Sequence, residues 1–116
     1  MVATHCYCRD CQRLSGGAMT SNVGVPAATF RVTKGEPKTY ERTADNGNKI
    51  LRRFCARCGS PLFVTSAAFA EVVVLSVGSL DDPSIFVPMV ILYLARAPKW
   101  APVTRELPWF ETMPER

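Results

Sequence analysis

The sequence has little of what long helices, export or a membrane require. No stretch of ten residues carries helical periodicity. No apolar run could cross a bilayer; the longest, Phe86 to Ala95, is broken by Pro88 and suits a buried strand. The opening residues 1–4 have neither the charged head nor the apolar stretch of a secretory signal. Histidine occurs once, at His5, so Ser-His-Asp or Cys-His machinery would have to use it. No block of like charge exists; Arg9, Arg13, Arg31, Arg42, Arg52, Arg53, Arg57, Arg96 and Arg105 are scattered. Aromatics do not interleave with them, so a nucleic-acid partner is not indicated. The net charge of +4 is mild and suits a small anionic substrate equally well. Repeats and linkers are also lacking, and residues 1–116 read as one domain.

What is present is cysteine, five in two clusters. Cys6, Cys8 and Cys11 form C-x-C-x-x-C, and Cys55 and Cys58 form a C-x-x-C knuckle. With no signal or membrane span the expected compartment is the cytoplasm. There thiols stay reduced, and clustered cysteines bind metal more often than they form disulfides.

The pattern between the clusters is all-β, a sheet or sandwich of short strands. Residues 1–6 read as extended. Cys8 to Leu14 reads as one helical turn closed by Ser15-Gly16-Gly17. Strands are expected at Ala18 to Val25, Thr29 to Thr33 and Thr39 to Thr43. Asn46-Gly47 is a hairpin turn leading into Lys49 to Phe54. That segment and Pro61 to Ser66 should pair with the knuckle cysteines at their tip. Glu71 to Val77 and Val87 to Ala95 complete the strands. Gly78 to Ser84 is a loop through Asp81-Asp82-Pro83, and the tail after Pro98 is irregular, packing its aromatics onto the body.

Zinc favours thiolates in tetrahedral array at about 2.3 Å. A bent C-x-C can turn two sulfurs toward one point, and the x-x-C turn brings a third from the other side. Three protein ligands leave a vertex for water or a substrate thiol, which is what a catalytic zinc needs. Other readings stay open. Cys8, Cys11, Cys55 and Cys58 could hold one structural zinc as a ribbon with Cys6 spare, although the 43 residues between Cys11 and Cys55 make a long gap. The thiols could also be metal-free. A thioredoxin-like role for Cys55 and Cys58 wants a βαβ context that is not visible. Beside the trio, strand alternation points His5 away from the face of Cys6. Ser15 reads as a turn closer, Asp10 as a surface or helix-turn carboxylate, and Trp100 and Trp109 as core.

The run His5-Cys6-Tyr7-Cys8-Arg9-Asp10-Cys11-Gln12-Arg13-Leu14-Ser15-Gly16 resembles the first signature of the glutathione-dependent formaldehyde-activating enzyme family, which includes the centromere protein V type. Arg53-Phe54-Cys55-Ala56-Arg57-Cys58-Gly59-Ser60-Pro61-Leu62 resembles the second. Gly78-Ser79-Leu80-Asp81-Asp82-Pro83 and the tail with Trp100, Leu107-Pro108 and Pro114 agree.

The resemblance implies a zinc-bearing β-tent of short antiparallel sheets. It implies a catalytic zinc on Cys6, Cys8 and Cys11, and a carbon–sulfur lyase chemistry that joins glutathione to formaldehyde. Arg9, Arg13, Arg52 or Arg53 would meet the carboxylates of glutathione. Relatives usually open with a further strand bearing C-x-C, whose cysteines join the C-x-x-C in a second, structural zinc site. That strand is missing here, with Met1 five residues before Cys6. Cys55 and Cys58 are then a half-set: the start is misplaced, the site is empty, or it borrows a thiol from the trio. A bared sheet edge invites a second copy, so a homodimer or low stability is expected. Tyr7 stands where relatives commonly carry histidine. Two functions follow: a zinc enzyme acting on a thiol adduct of formaldehyde or another small carbonyl compound, or a non-catalytic zinc module contacting protein or nucleic acid. Coordination separates them, three thiolates plus an exchangeable ligand against four protein thiolates.

Overall fold

The computed structural model describes residues 2–114. Met1, on which the expectation of a misplaced start rests, lies outside them. The chain is mostly β. One seven-stranded sheet carries one short helix. In chain order the strands are β1 (Val2–Cys6), β2 (Thr20–Pro26), β3 (Lys38–Thr43), β4 (Lys49–Phe54), β5 (Pro61–Ser66), β6 (Val72–Ser76) and β7 (Val90–Leu92), and helix α1 is Arg9–Ser15. Their order across the sheet is β3-β4-β5-β6-β2-β1-β7.

Antiparallel pairing runs from β3 through to β1, and only β1 with β7 is parallel. The β3–β4 hairpin is closed by residues 44–48, where Asn46 Oδ1 accepts from the amide of Asn48 at 3.0 Å. The β4–β5 hairpin carries the cysteine knuckle at its tip, as its sequence implies, with a register shift between Arg53 and Phe54. β7 is shielded on its outer side by the tail: Ile91 donates to Pro108, and Phe110 donates to Ile91.

Two expected strands change. Thr29 to Thr33 forms none; Ala27–Thr29 is a single 3₁₀ turn, and the chain then runs irregularly to β3. A short alternating run makes a strand only when a neighbour accepts its backbone, and the edge beside β3 stays open among the described residues. Val87 to Ala95 contracts to the three residues of β7, because the chain turns sharply after Leu92. The expected core tryptophans are also corrected. Trp100 is 71 % exposed and Trp109 43 %. Trp109 instead meets Ile91 through a backbone bridge and lies under the Arg105 guanidinium.

The apolar packing forms two clusters beside β1. One joins Ala3, Val23 and Val77 with Val25, Leu80 and Phe86. The other joins Tyr7, Ile91 and Leu94 with Ala18, Met19 and residues of the tail. Between them the sheet curls. Asp10 on α1 ion-pairs with Arg42 on β3, although α1 leaves from the opposite side of the sheet. Leu14 of α1 shares a groove with Arg52 and Phe54 of β4 and with Phe63 and Val64 of β5. The accumulated right-handed twist of the strands therefore folds β3 and β4 back over the helix. No helix of the described residues is long and apolar enough to cross a membrane.

Candidate metal centre

The last residue of β1, Cys6, pairs with Thr20 on one side and Leu92 on the other. Tyr7 leaves the strand with its amide bonded to Leu92 O at 3.0 Å. Cys8 is extended and caps α1, its Sγ accepting from the amide of Cys11 at 3.3 Å. The spacing is thus explained locally. Alternation along an extended chain puts Cys6 and Cys8 on one side, and the first helical turn swings Cys11 round to meet them. The three sulfurs lie within 4.8 Å of one another. Cys6 and Cys11 are buried and Cys8 is half-buried.

The Gln12 side chain anchors this turn. Its amide donates to Tyr7 O at 2.8 Å and to Arg96 O at 3.0 Å, and its oxygen accepts from Arg9. Gly16, at φ 72°, ends the helix and returns its amide to Gln12 O. Only a residue tolerant of the left-handed region closes the helix this way.

The trio concentrates charge on Cys8. Hydrogen bonds from the Cys11 and Cys6 thiols, aided by the Arg52 guanidinium, pull Cys8 down to about 2. The same bonds, to Cys11 first and then Cys8, push Cys6 far above the usual thiol range, with burial adding to it. Cys11 also rises, as the neighbouring Cys8 thiolate and burial outweigh bonds from Cys6 and Thr20. Metal binding requires the ligand thiols to lose their protons, and the trio favours that loss at Cys8 first.

The donor set fits zinc. Soft thiolates select it, and a tetrahedral ion with sulfurs at ~2.3 Å sets them roughly 3.8 Å apart, a spacing compatible with three sulfurs all within 4.8 Å of one another. Cys55 and Cys58 do not join the group. Their turn is held by Cys55 N to Ser60 O and Gly59 N to Cys55 O, both 2.9 Å, and by Gly59 at φ 78°. Cys58 is exposed, its thiol held below the usual value by Ser60 first and Cys55 after it. The two cysteine groups thus present separate sets of thiols in this arrangement.

Two adjoining grooves pass near the trio, through Thr20 in one and Arg52 in the other, with no cysteine in either lining. One, of about 370 Å³, mixes apolar walls of Leu14, Met19, Pro61 and Val77 with serines and Thr20, and the Thr20 side chain favours the Cys11 thiolate. The other, of about 230 Å³, contains Arg52, whose charge reaches Cys8. They share Leu14, Pro61 and Ser76 as walls.

The remaining expectations resolve simply. His5 turns away from the sulfurs, bonds Ser21 Oγ at 3.0 Å and meets the Phe86 ring edge-on; burial keeps it below its usual pKa. Ser15 closes the turn, its Oγ accepting from Gly17 at 3.0 Å. Asp82 caps a 3₁₀ turn through Ser84. Gln12 and Tyr93 are the residues that sequence patterns do not single out. Tyr93 has φ 57° and ψ 41°, the only left-handed non-glycine residue described. Such a conformation costs of order 1–3 kcal/mol and gathers at functional sites. Burial raises its phenol, as do the charges of Cys8, Cys6 and Cys11.

Fold and centre together define a mostly β protein whose amino-terminal thiol trio is fit to hold a metal ion. The model of the glutathione-dependent formaldehyde-activating enzyme family matches residues 1–96 of the 116, and the chain belongs to that family. No curated protein matches it.

Proposed function

We propose that the protein is a zinc-dependent, carbon–sulfur lyase-like enzyme that makes or breaks the adduct of a glutathione-type thiol with formaldehyde or another small carbonyl compound. The observation that carries this reading is the trio of sulfurs within 4.8 Å, joined by no further cysteine and neighbouring the groove that Thr20 lines. Cys6, Cys8 and Cys11 are the ligands. When bound, zinc supplies a Lewis acid that lowers a thiol pKa or polarises a carbonyl. The chain's own residues do the rest. The serines and Thr20 of the neighbouring groove offer hydrogen bonds to a peptide-like thiol, and holding both reactants there replaces a bimolecular encounter. Among the four arginines named from sequence, Arg52 is best placed for a carboxylate. Arg9 is engaged by Gln12, Arg53 by Thr39 and Thr65, and Arg13 projects from the exposed end of α1. The Arg52 guanidinium makes no hydrogen bond or ion pair with the described residues.

A non-catalytic zinc module would want four protein thiolates on one ion, and the separation of Cys55 and Cys58 from the trio favours the enzyme. The test is exchange spectroscopy with ¹³C-formaldehyde and glutathione on zinc-loaded protein. Adduct exchange faster than in buffer is expected, and Cys8→Ser should return it to background. A wild-type rate equal to buffer would overturn the reading.

A further inference from the structure

We propose that the groove around Arg52 selects the carbonyl partner, an aldehyde with an apolar, ring-sized body and a carboxylate at its far end, and that Arg52 is the residue that determines this specificity. This rests on the function proposed above and names its second substrate by class.

Strand register puts the arginine in the groove. Directly opposite residues of antiparallel strands share a face. Tyr40, Arg52 and Val64 lie opposite one another on β3, β4 and β5. Arg42, two positions from Tyr40, is on the same face and ion-pairs with Asp10 of α1. That face therefore looks onto the helix. Leu14 lines the groove from the helix side, one turn after Cys11 and so beside it on the helix surface. The groove thus runs between the arginine row and the helix that carries one sulfur of the trio.

Size and walls describe the occupant. The groove holds about 230 Å³. An apolar cavity of ~150 Å³ is enough for a benzene ring, whereas formaldehyde, with two heavy atoms, is nearer in size to a water, whose share of liquid is ~30 Å³. The apolar walls are Leu14, Tyr40, Phe54, Pro61 and Val64. Neither formaldehyde nor the peptide backbone of glutathione has an apolar body to cover them. The serines and Thr20 of the adjoining groove offer the peptide its hydrogen bonds instead.

Charge describes its far end. The Arg52 guanidinium is half-buried and unpaired among the described residues. The carboxylates of the strand and helix around it are taken, Asp10 by Arg42 and Glu41 by Lys49. Arg53, its neighbour in the lining, is spent on Thr39 and Thr65. A free guanidinium among apolar side chains suits a planar anion, which it grips through two parallel hydrogen bonds. The reaction itself is unchanged: the thiol sulfur bonds to the carbonyl carbon, and the thiol proton ends on the oxygen.

Binding of three stable thioethers to the full zinc-loaded chain tests this, with S-methylglutathione, S-benzylglutathione and S-(para-carboxybenzyl)glutathione as probes. Wild type should bind the benzyl compound about tenfold or more tighter than the methyl one, through burial of the ring. The carboxybenzyl compound should bind about tenfold tighter again. Arg52→Gln should erase the second step and keep the first, at wild-type zinc content and thermal midpoint. Equal binding of the three by wild type overturns the proposal. So does an equal loss for all three in Arg52→Gln, which would put the carboxylate of glutathione itself on the arginine. Turnover separates this from the parent function. Exchange of glutathione with para-carboxybenzaldehyde should be accelerated over buffer more than exchange with benzaldehyde or formaldehyde. No acceleration with any aldehyde overturns the parent function, and with it the substrate. Formaldehyde turnover alongside equal thioether binding overturns the assignment of the groove alone.

Discussion

The side-chain amide of Gln12 donates to the carbonyl oxygen of Arg96 at 3.0 Å, joining the metal turn to a segment 84 positions away. The same amide holds Tyr7 O, so one buried glutamine positions both the entry to Cys8 and the exit from Tyr93. Gln12→Leu leaves both carbonyls without this donor. An orphaned buried acceptor costs about 1–3 kcal/mol, so the loss should be about 2 kcal/mol or more. Urea unfolding of zinc-loaded protein measures it. The variant should also bind zinc more weakly, since Cys8 loses its fixed approach.

The Asp10–Arg42 ion pair closes the curl of the sheet over α1, yet both side chains are partly exposed, at 28 % and 37 %. Such a pair contributes about 0–1 kcal/mol. Arg42→Ala should therefore lower stability by less than about 1 kcal/mol, and the difference should shrink in high salt. A larger, salt-insensitive loss in the same unfolding experiment would show that the pair organises the sheet.

Zinc loading should release protons mainly from two of the three thiols, since Cys8 already carries the charge that Cys6 and Cys11 support. Calorimetry at neutral pH, in buffers of different ionisation enthalpy, reads that number. The sign follows: protons compete with metal for Cys6 and Cys11 first, so affinity rises with pH across the neutral range. A flat profile would mean that the trio is deprotonated before the metal arrives.

Much of this was legible in the residues, and the exceptions have physical causes. The hairpin through Asn46-Gly47, the knuckle at the tip of β4 and β5, and the turn at Ser15-Gly16 carry local signals that tertiary contacts do not override. The trio was legible because its geometry is local, an alternation followed by one helical turn. Thr29 to Thr33 misled because alternation describes a strand's faces but not whether a neighbour exists to pair with it. Trp100 and Trp109 misled because size predicts burial only where the body has room, and the tail runs along the edge of the sheet instead. Tyr93 left no trace, since nothing in its sequence marks a left-handed residue. Gln12 left none because its partners, at 7 and 96, meet only in the fold.

The separation of the two cysteine groups makes another prediction. Cys8→Ser should abolish tight zinc binding at the trio, with Cys58→Ser leaving that site loaded. Zinc per chain, measured after dialysis against a weak chelator, should fall in the first variant by one equivalent relative to wild type. An equal loss in both would mean that the two groups share an ion in solution.

X-ray absorption at the zinc edge of Cys55→Ser/Cys58→Ser protein, which leaves only the trio, measures the centre most directly. Three sulfurs and one lighter, exchangeable ligand are expected, becoming four sulfurs when glutathione is added. Four sulfurs before any thiol is added, or a first shell that glutathione leaves unchanged, would contradict an open metal vertex and the chemistry assigned to it.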